Sequence, residues 1–324
     1  MKIDGKAQIL ELLELPREEY ERTVLPEAKQ LHREQNGNKL TATAMLGYDN
    51  ICKNQCLYCG MRAGNVSVKR FRLTPEEVLA SARAASELGF RRIFLISGED
   101  PKYGFDRLLS IVSGAHALGL WVSLACGEFS PEQYQELHAA GANEYVLKFE
   151  MSDREVFNRL NPSTDFDRRM KSIEEVLKSG MRLASGNIVD YPGQTLSQLA
   201  DDLLLMQRLE ISWAPVIPFL PAQQTPLGTG ARGNLLLNTK EISILRLMLP
   251  EVNITAQQPG EDLSQGLAGA QGNLAALAAG ANMLFADLLP DALTKNFSVV
   301  DNRVTLGLDH IREMARRSGM SLSF

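Results

Sequence analysis

The feature that most narrows the folds open to this chain of 324 residues is a repeated alternation of short β-like runs with helix-period stretches. Strand candidates fall at Thr41–Leu46, Arg92–Ser97, Trp121–Cys126, Glu144–Glu150, Leu183–Val189, Ser212–Pro218, Val252–Gln257 and Ala281–Ala286. Between them, Thr74-Pro75-Glu76-Glu77, Ser130-Pro131-Glu132, Thr195-Leu196-Ser197 and Thr239-Lys240-Glu241 put a hydroxyl where the first turn of a helix needs an acceptor. Leu88-Gly89, Leu118-Gly119, Ala140-Gly141 and Ser179-Gly180 supply glycines where helices end. Strict alternation favours parallel pairing, and this many β–α units favours closure into a (β/α)8 TIM barrel over an open sheet. The chain then divides into a helical N-terminal extension over 1–40, with Ile9, Leu10, Leu12 and Leu13 on one face, and a barrel over 41–324.

Charge and apolar patterning restrict the partners. A net charge of -5 argues against a surface built to neutralise nucleic-acid or membrane phosphates, so a small-molecule partner is expected. The start Met1-Lys2-Ile3-Asp4-Gly5-Lys6 lacks the pattern of a signal peptide, and the expectation is a cytoplasmic protein with reduced thiols. Leu274–Leu289, the most apolar stretch, is shorter than the roughly 20 residues of a membrane span and predicts a buried helix followed by a buried strand. Residues 222–235, rich in Gln, Gly and Thr, predict a loop.

Barrel enzymes place their chemistry at the C-terminal ends of the strands. Just such a place, six residues after the first predicted strand, begins the segment Cys52-Lys53-Asn54-Gln55-Cys56-Leu57-Tyr58-Cys59. Three thiolates this close cannot staple distant loops, but they can converge on one inorganic centre. Three ligands on an Fe4S4 cubane leave one iron without a protein ligand, which is where chemistry can occur. The competing reading is zinc, with Cys126 or one of His32, His116, His138 and His310 as fourth ligand, although no closely spaced second pair supports it. Lys148 and Glu150, two apart on the fourth predicted strand, would share a face toward the lumen, where unpaired charge is costly.

The C-x3-C-x2-C loop with Tyr58 before its last cysteine resembles the signature of the radical S-adenosylmethionine (SAM) enzymes. The likeness runs over nearly the whole chain and is nearest the biotin synthase-like branch, in particular the FeFe-hydrogenase maturase HydE family. It is carried by Cys52–Asn65, Lys69–Val78, Ser97–Pro101, Asp165–Met170, Pro192–Thr195 and Pro218–Leu227, and from about residue 235 by a segment similar to one shared by biotin and thiamine radical enzymes. The resemblance implies one Fe4S4 cluster on Cys52, Cys56 and Cys59, with SAM chelating the open iron. It implies Ser97, Gly98 and Glu99 at the SAM amino group, Glu150 and Arg169 as further SAM contacts, and Tyr58, Ile217 and the backbone near Gly186 beside adenine. Lys148 and Gln257 become substrate candidates, and a flavodoxin or ferredoxin the expected electron donor. The implied activity is formation of a 5′-deoxyadenosyl radical that attacks a small anionic, thiol-containing or metal-bound substrate. Alternatives are a methylornithine synthase-like mutase acting on an amino acid and a non-catalytic zinc or iron–sulfur barrel.

The chain departs from the pattern in several places. Only Cys126 remains for a second cluster of the biotin synthase kind, and 301–324 lacks the peripheral cysteines common in the HydE family. Lys148-Phe149 and Asp190-Tyr191 stand where that family has Arg-His and Gly-Leu, and these positions are expected near the substrate.

Overall fold

The computed structural model describes residues 1–324. Each predicted strand region contains a strand: β1 (Lys39–Asp49), β2 (Arg92–Ser97), β3 (Trp121–Ala125), β4 (Ala142–Val146), β5 (Arg182–Ala184), β6 (Trp213–Ala214), β7 (Asn253–Ile254) and β8 (Met283–Asp287). They pair in parallel in sequence order, and β8 returns to β1 with Thr41 opposite Met283. At the remaining seam Thr255 bridges Met283, and the Asn282 and Ala256 amides donate to Ile254 and Met283 carbonyls at 3.0 and 2.8 Å. The result is a nearly closed barrel with helices outside it. A short strand, Ser321–Ser323, adds to β1 in parallel.

Local chemistry sets the helix boundaries. Thr74, Ser130 and Thr195 each form the predicted cap, completed by a reciprocal side chain from Glu77, Gln133 and Gln198. Gly89, Gly119, Gly141 and Gly180 all take positive φ at helix ends. The Thr239 cap is wrong: the helix begins at Leu235, Asn234 caps it, and the Thr239 hydroxyl donates back to the Leu235 carbonyl at 2.7 Å. Its neighbour Lys240 reaches the end of the first helix, Lys6–Glu14, donating to the Leu13 carbonyl at 2.7 Å and to the Leu15 carbonyl just beyond it. The stretch Leu274–Leu289 is helical to Ala278 and then forms β8, as predicted. No helix is long and apolar enough to cross a membrane.

Alternation along the strands fills the barrel in layers. Toward the N-terminal ends, the buried Glu144 accepts hydrogen bonds from Ser123 and Ser212 at 2.7 and 2.6 Å and lies 3.7 Å from Arg92. One level up, Met45, Phe94, Val146, Trp213 and Phe285 form an apolar floor. Above it the strand ends open into a cavity.

Four predicted strands end three or more residues early, β7 among them at Ile254. β4 stops at Val146, so Lys148 and Glu150 lie beyond the strand. The fifth and sixth break after Ala184 and Ala214, and their continuations Ile188–Val189 and Ile217–Pro218 pair separately as a two-stranded ribbon. β1 runs to Asp49, which brings the cysteine segment three residues closer to the barrel end than predicted.

Candidate functional site

The buried Asn50 and the half-buried Arg70 and Tyr58 hold the loop after β1. Asn50 accepts from the Phe71 amide at 2.8 Å and donates to the Lys69 and Asn296 carbonyls at 3.0 and 2.6 Å. Arg70 donates to four carbonyls, of Asn50, Met61, Arg62 and Asn65, and so fixes both ends of the cysteine segment. Its position fell inside the motif Lys69–Val78, but nothing in the sequence marks a side chain whose partners are all backbone. Tyr58 donates to Asn161 at 2.7 Å, and the Leu57 amide to the Leu160 carbonyl at 2.9 Å.

Ser97, Gly98 and Glu99 meet this loop from the end of β2. The Lys53 amide donates to the Glu99 carbonyl at 2.9 Å, and the Glu99 amide reaches the Cys52 sulfur at 3.4 Å. A Cβ on Gly98 would lie 2.1 Å from the Ile51 carbonyl oxygen, so only glycine allows this approach. The Glu99 carboxylate accepts from Asn54 at 2.8 Å and pairs with Lys53 at 2.7 Å. It does not cap the next helix, whose N-cap is Gly104.

Glu150 and Arg169 face the loop from the other side. Glu150 has φ 62, a left-handed conformation rare for glutamate, held because its amide donates to Gly186 at 3.0 Å and its carbonyl accepts from Ile188 at 2.9 Å. Lys148 and Glu150 do share the cavity, but through this turn and not through strand alternation, and their charges pair at 3.0 Å. Arg169 donates to Glu128 at 2.8 Å and to the Lys148 carbonyl, and its guanidinium stands over Phe157. Burial would lower its pKa, but the Glu128 carboxylate outweighs this and holds it raised. Its neighbour Arg168 is exposed.

One cavity of about 430 Å³ is lined by Cys52, Cys59, Tyr58, Ser97, Gly98, Glu99, Lys148, Glu150, Arg169, Ile217 and Gln257. Cys56 does not line it but lies close enough to the other two for their charges to act on it. Burial raises all three thiols, Cys59 to about 12, and mutual repulsion adds to this. Such a triad stays protonated until a cation compensates it, as an iron centre would. No three His, Cys, Asp or Glu side chains converge tightly enough to share a single ion. A mononuclear zinc site demands that convergence, whereas a cubane several ångströms across spreads its thiolates. Cys126 is buried, accepts from Tyr48 at 3.1 Å and lines a smaller neighbouring cavity, and no histidine lines either one.

Two expectations need correction. Asp190 does not line the cavity; it accepts from the Asn234 amide at 2.8 Å. Tyr191 and Phe149 are buried in apolar clusters instead of approaching a substrate.

Comparison with known proteins agrees with this geometry. Residues 49–206 match the model of the Radical SAM superfamily. The [FeFe] hydrogenase maturase subunit HydE of Thermotoga maritima is 31% identical over 313 residues, covering 92% of this chain and 88% of that protein. This chain belongs to the radical SAM superfamily. Also similar are a 3-methylornithine synthase of Methanosarcina barkeri, 29% identical over 87% of this chain and 79% of that protein, and the crystal structure of methylornithine synthase (PylB). The latter superposes with a TM-score of 0.85 and 26% identity, covering 100% of this chain and 95% of that one. Radical SAM membership makes the chain an enzyme and implies both SAM and an iron–sulfur cluster, for which the triad and its cavity offer a fitting donor set.

Proposed function

We propose that the chain is a HydE-like radical SAM enzyme in which Cys52, Cys56 and Cys59 hold a single Fe4S4 cluster and leave one iron to SAM. When bound, that cluster supplies the electron that splits SAM into methionine and a 5′-deoxyadenosyl radical. The chain's own residues bind and orient. Glu99, with the carbonyls around Ser97 and Gly98, offers the acceptors that an ammonium requires. The mostly buried Arg169 offers a carboxylate a planar donor fork. Glu150 presents a carboxylate on a turn fixed at both its amide and its carbonyl, and Tyr58, Ile217 and the Gly186 backbone flank the adenine. Lys148 and Gln257 face the substrate, a small thiol-containing or metal-bound molecule. A flavodoxin or ferredoxin delivers the electron in the cytoplasm.

The observation that carries this reading is convergence: the cysteine loop after β1, Glu99 after β2, Glu150 beyond β4 and Arg169 on the helix Phe166–Lys178 meet at one cavity. Anaerobic reconstitution with iron and sulfide, then reduction with SAM, should yield 5′-deoxyadenosine. A colourless, zinc-loaded protein that leaves SAM intact would overturn the reading. A second reading, a mutase acting on an amino acid, draws on the full-length superposition with methylornithine synthase (PylB). Conversion of a supplied amino acid to an isomer of equal mass would favour it.

A further inference from the structure

The cavity has two unlike parts. Its rim carries the SAM candidates, and below them lies a chamber whose walls, apart from Gln257, belong to no role assigned so far. Its floor is a cluster of rings, with Phe94 and Trp213 centroids 5.1 Å apart, Trp213 and Phe285 5.4 Å, and Phe94 and Phe285 5.8 Å. Met45 packs beside them.

Every cation that reaches the cavity already has a carboxylate partner, and Arg169, the one assigned above to SAM, is thereby committed at the rim. Lys148 meets Glu150 at 3.0 Å, and Arg169 meets Glu128 at 2.8 Å. Arg303 donates through Nε to Asp287 at 3.1 Å and lies over the Phe297 ring at 4.8 Å. The second oxygen of Asp287 accepts from the Leu289 amide at 3.0 Å, so neither member is free for a charged ligand. A carboxylate or ammonium entering the chamber would lose its water and gain no counter-charge.

Two polar side chains do keep spare donors. Thr255 accepts from the Trp213 indole at 2.8 Å, which leaves its hydroxyl proton to give. Gln257 accepts from the Phe285 amide at 3.3 Å, which leaves its NH2 to give. Both line the cavity just beyond β7.

We propose that this chamber takes an uncharged molecule with an apolar body bearing a ring or a sulfur atom, and with one acceptor group that Thr255 and Gln257 hold. A thiol or thioether fits such a floor, because sulfur packs favourably against aromatic rings. The inference rests on the radical SAM reading of the rim and narrows its substrate to the neutral members of the class, setting aside the anionic ones.

The chain's two tryptophans make the test direct. Trp121 has a buried indole N–H without a partner, so Trp121→Phe is a mild change that leaves Trp213 as sole reporter. Benzamide and benzoate share a shape and differ in charge. On the reconstituted holoenzyme, with each compound added before SAM, benzamide should change Trp213 emission saturably, benzoate should bind at least about tenfold more weakly, and L-lysine should have no effect. Thr255→Val and Gln257→Leu should each weaken benzamide about tenfold. Saturable binding of benzoate or lysine with benzamide silent would overturn the proposal, as would benzamide binding unmoved by both variants. Should one variant fail to fold, the other and the benzamide–benzoate ratio still decide. The same preparations are assayed for 5′-deoxyadenosine. Loss of that product with benzamide binding intact would sink the radical SAM reading alone, and the reverse would sink the chamber alone.

Discussion

The two ends of the barrel both bury acidic groups, and they treat them differently. At the lower end Glu144 is satisfied from within: two serine hydroxyls and Arg92 surround its carboxylate, and Arg92 is itself stacked over Trp121. At the upper end the acids Glu99 and Glu150 each meet a lysine of their own loop, and three raised thiols stand beside them uncompensated. Complete satisfaction marks a structural plug, and incomplete satisfaction marks a site waiting for a ligand.

Breaking each end should therefore fail in a different way. The largest effect is expected at the top: Cys56→Ala should abolish both the iron–sulfur absorbance and 5′-deoxyadenosine formation while the apoprotein keeps its melting temperature. At the bottom, Glu144→Ala strands Arg92 and should cost about 3 kcal/mol in chemical denaturation, while the folded fraction still cleaves SAM. An intermediate effect comes from Glu241, fully buried on the helix Leu235–Met248. Burial and then the charge of Asp202 raise it from 4.5 to about 8, against a neighbouring Asn187 amide that lowers it. Its folded pKa lies above the unfolded one, so the folded protein holds a proton that the unfolded chain releases. Its contribution to stability is full below pH 4.5 and declines as the pH rises toward 8. Glu241→Gln should flatten the fall in melting temperature across that window, and an unchanged slope would refute the assignment. The smallest effect belongs to Cys126→Ala, which should cost about 1 kcal/mol through the lost Tyr48 contact and leave the cluster spectrum intact. Loss of the cluster in that variant would mean that the three-thiol assignment is wrong.

Periodicity and spacing made much of this legible. β2 begins and ends at the predicted residues, three of four predicted caps form, and all of the proposed site residues except Cys56 and Gly186 line a single cavity. What stayed hidden has physical reasons. The break after Ala214 does not show, because Pro215-Val216-Ile217 stay apolar; the break after Ala184 falls on Ser185-Gly186-Asn187, a turn-like run hidden only by the apolar Ile188-Val189 that resumes beyond it. The turn at Glu150 does not show either, since positive φ announces itself only where glycine stands. Thr239 looked like a cap because a hydroxyl before a charged pair suits either a cap or a helix interior, and Asn234 upstream is the better acceptor. Arg70 and Asn50 work through backbone carbonyls and an amide, which nearly every residue possesses.

The plug at the lower end has a kinetic consequence. A well with one mouth is a last-in, first-out stack. On the proposed placement of SAM above the ring-lined chamber, substrate must load before SAM, and methionine and 5′-deoxyadenosine must leave before product can. Steady-state rates should therefore obey an ordered scheme, with SAM in excess slowing the escape of whatever lies beneath it.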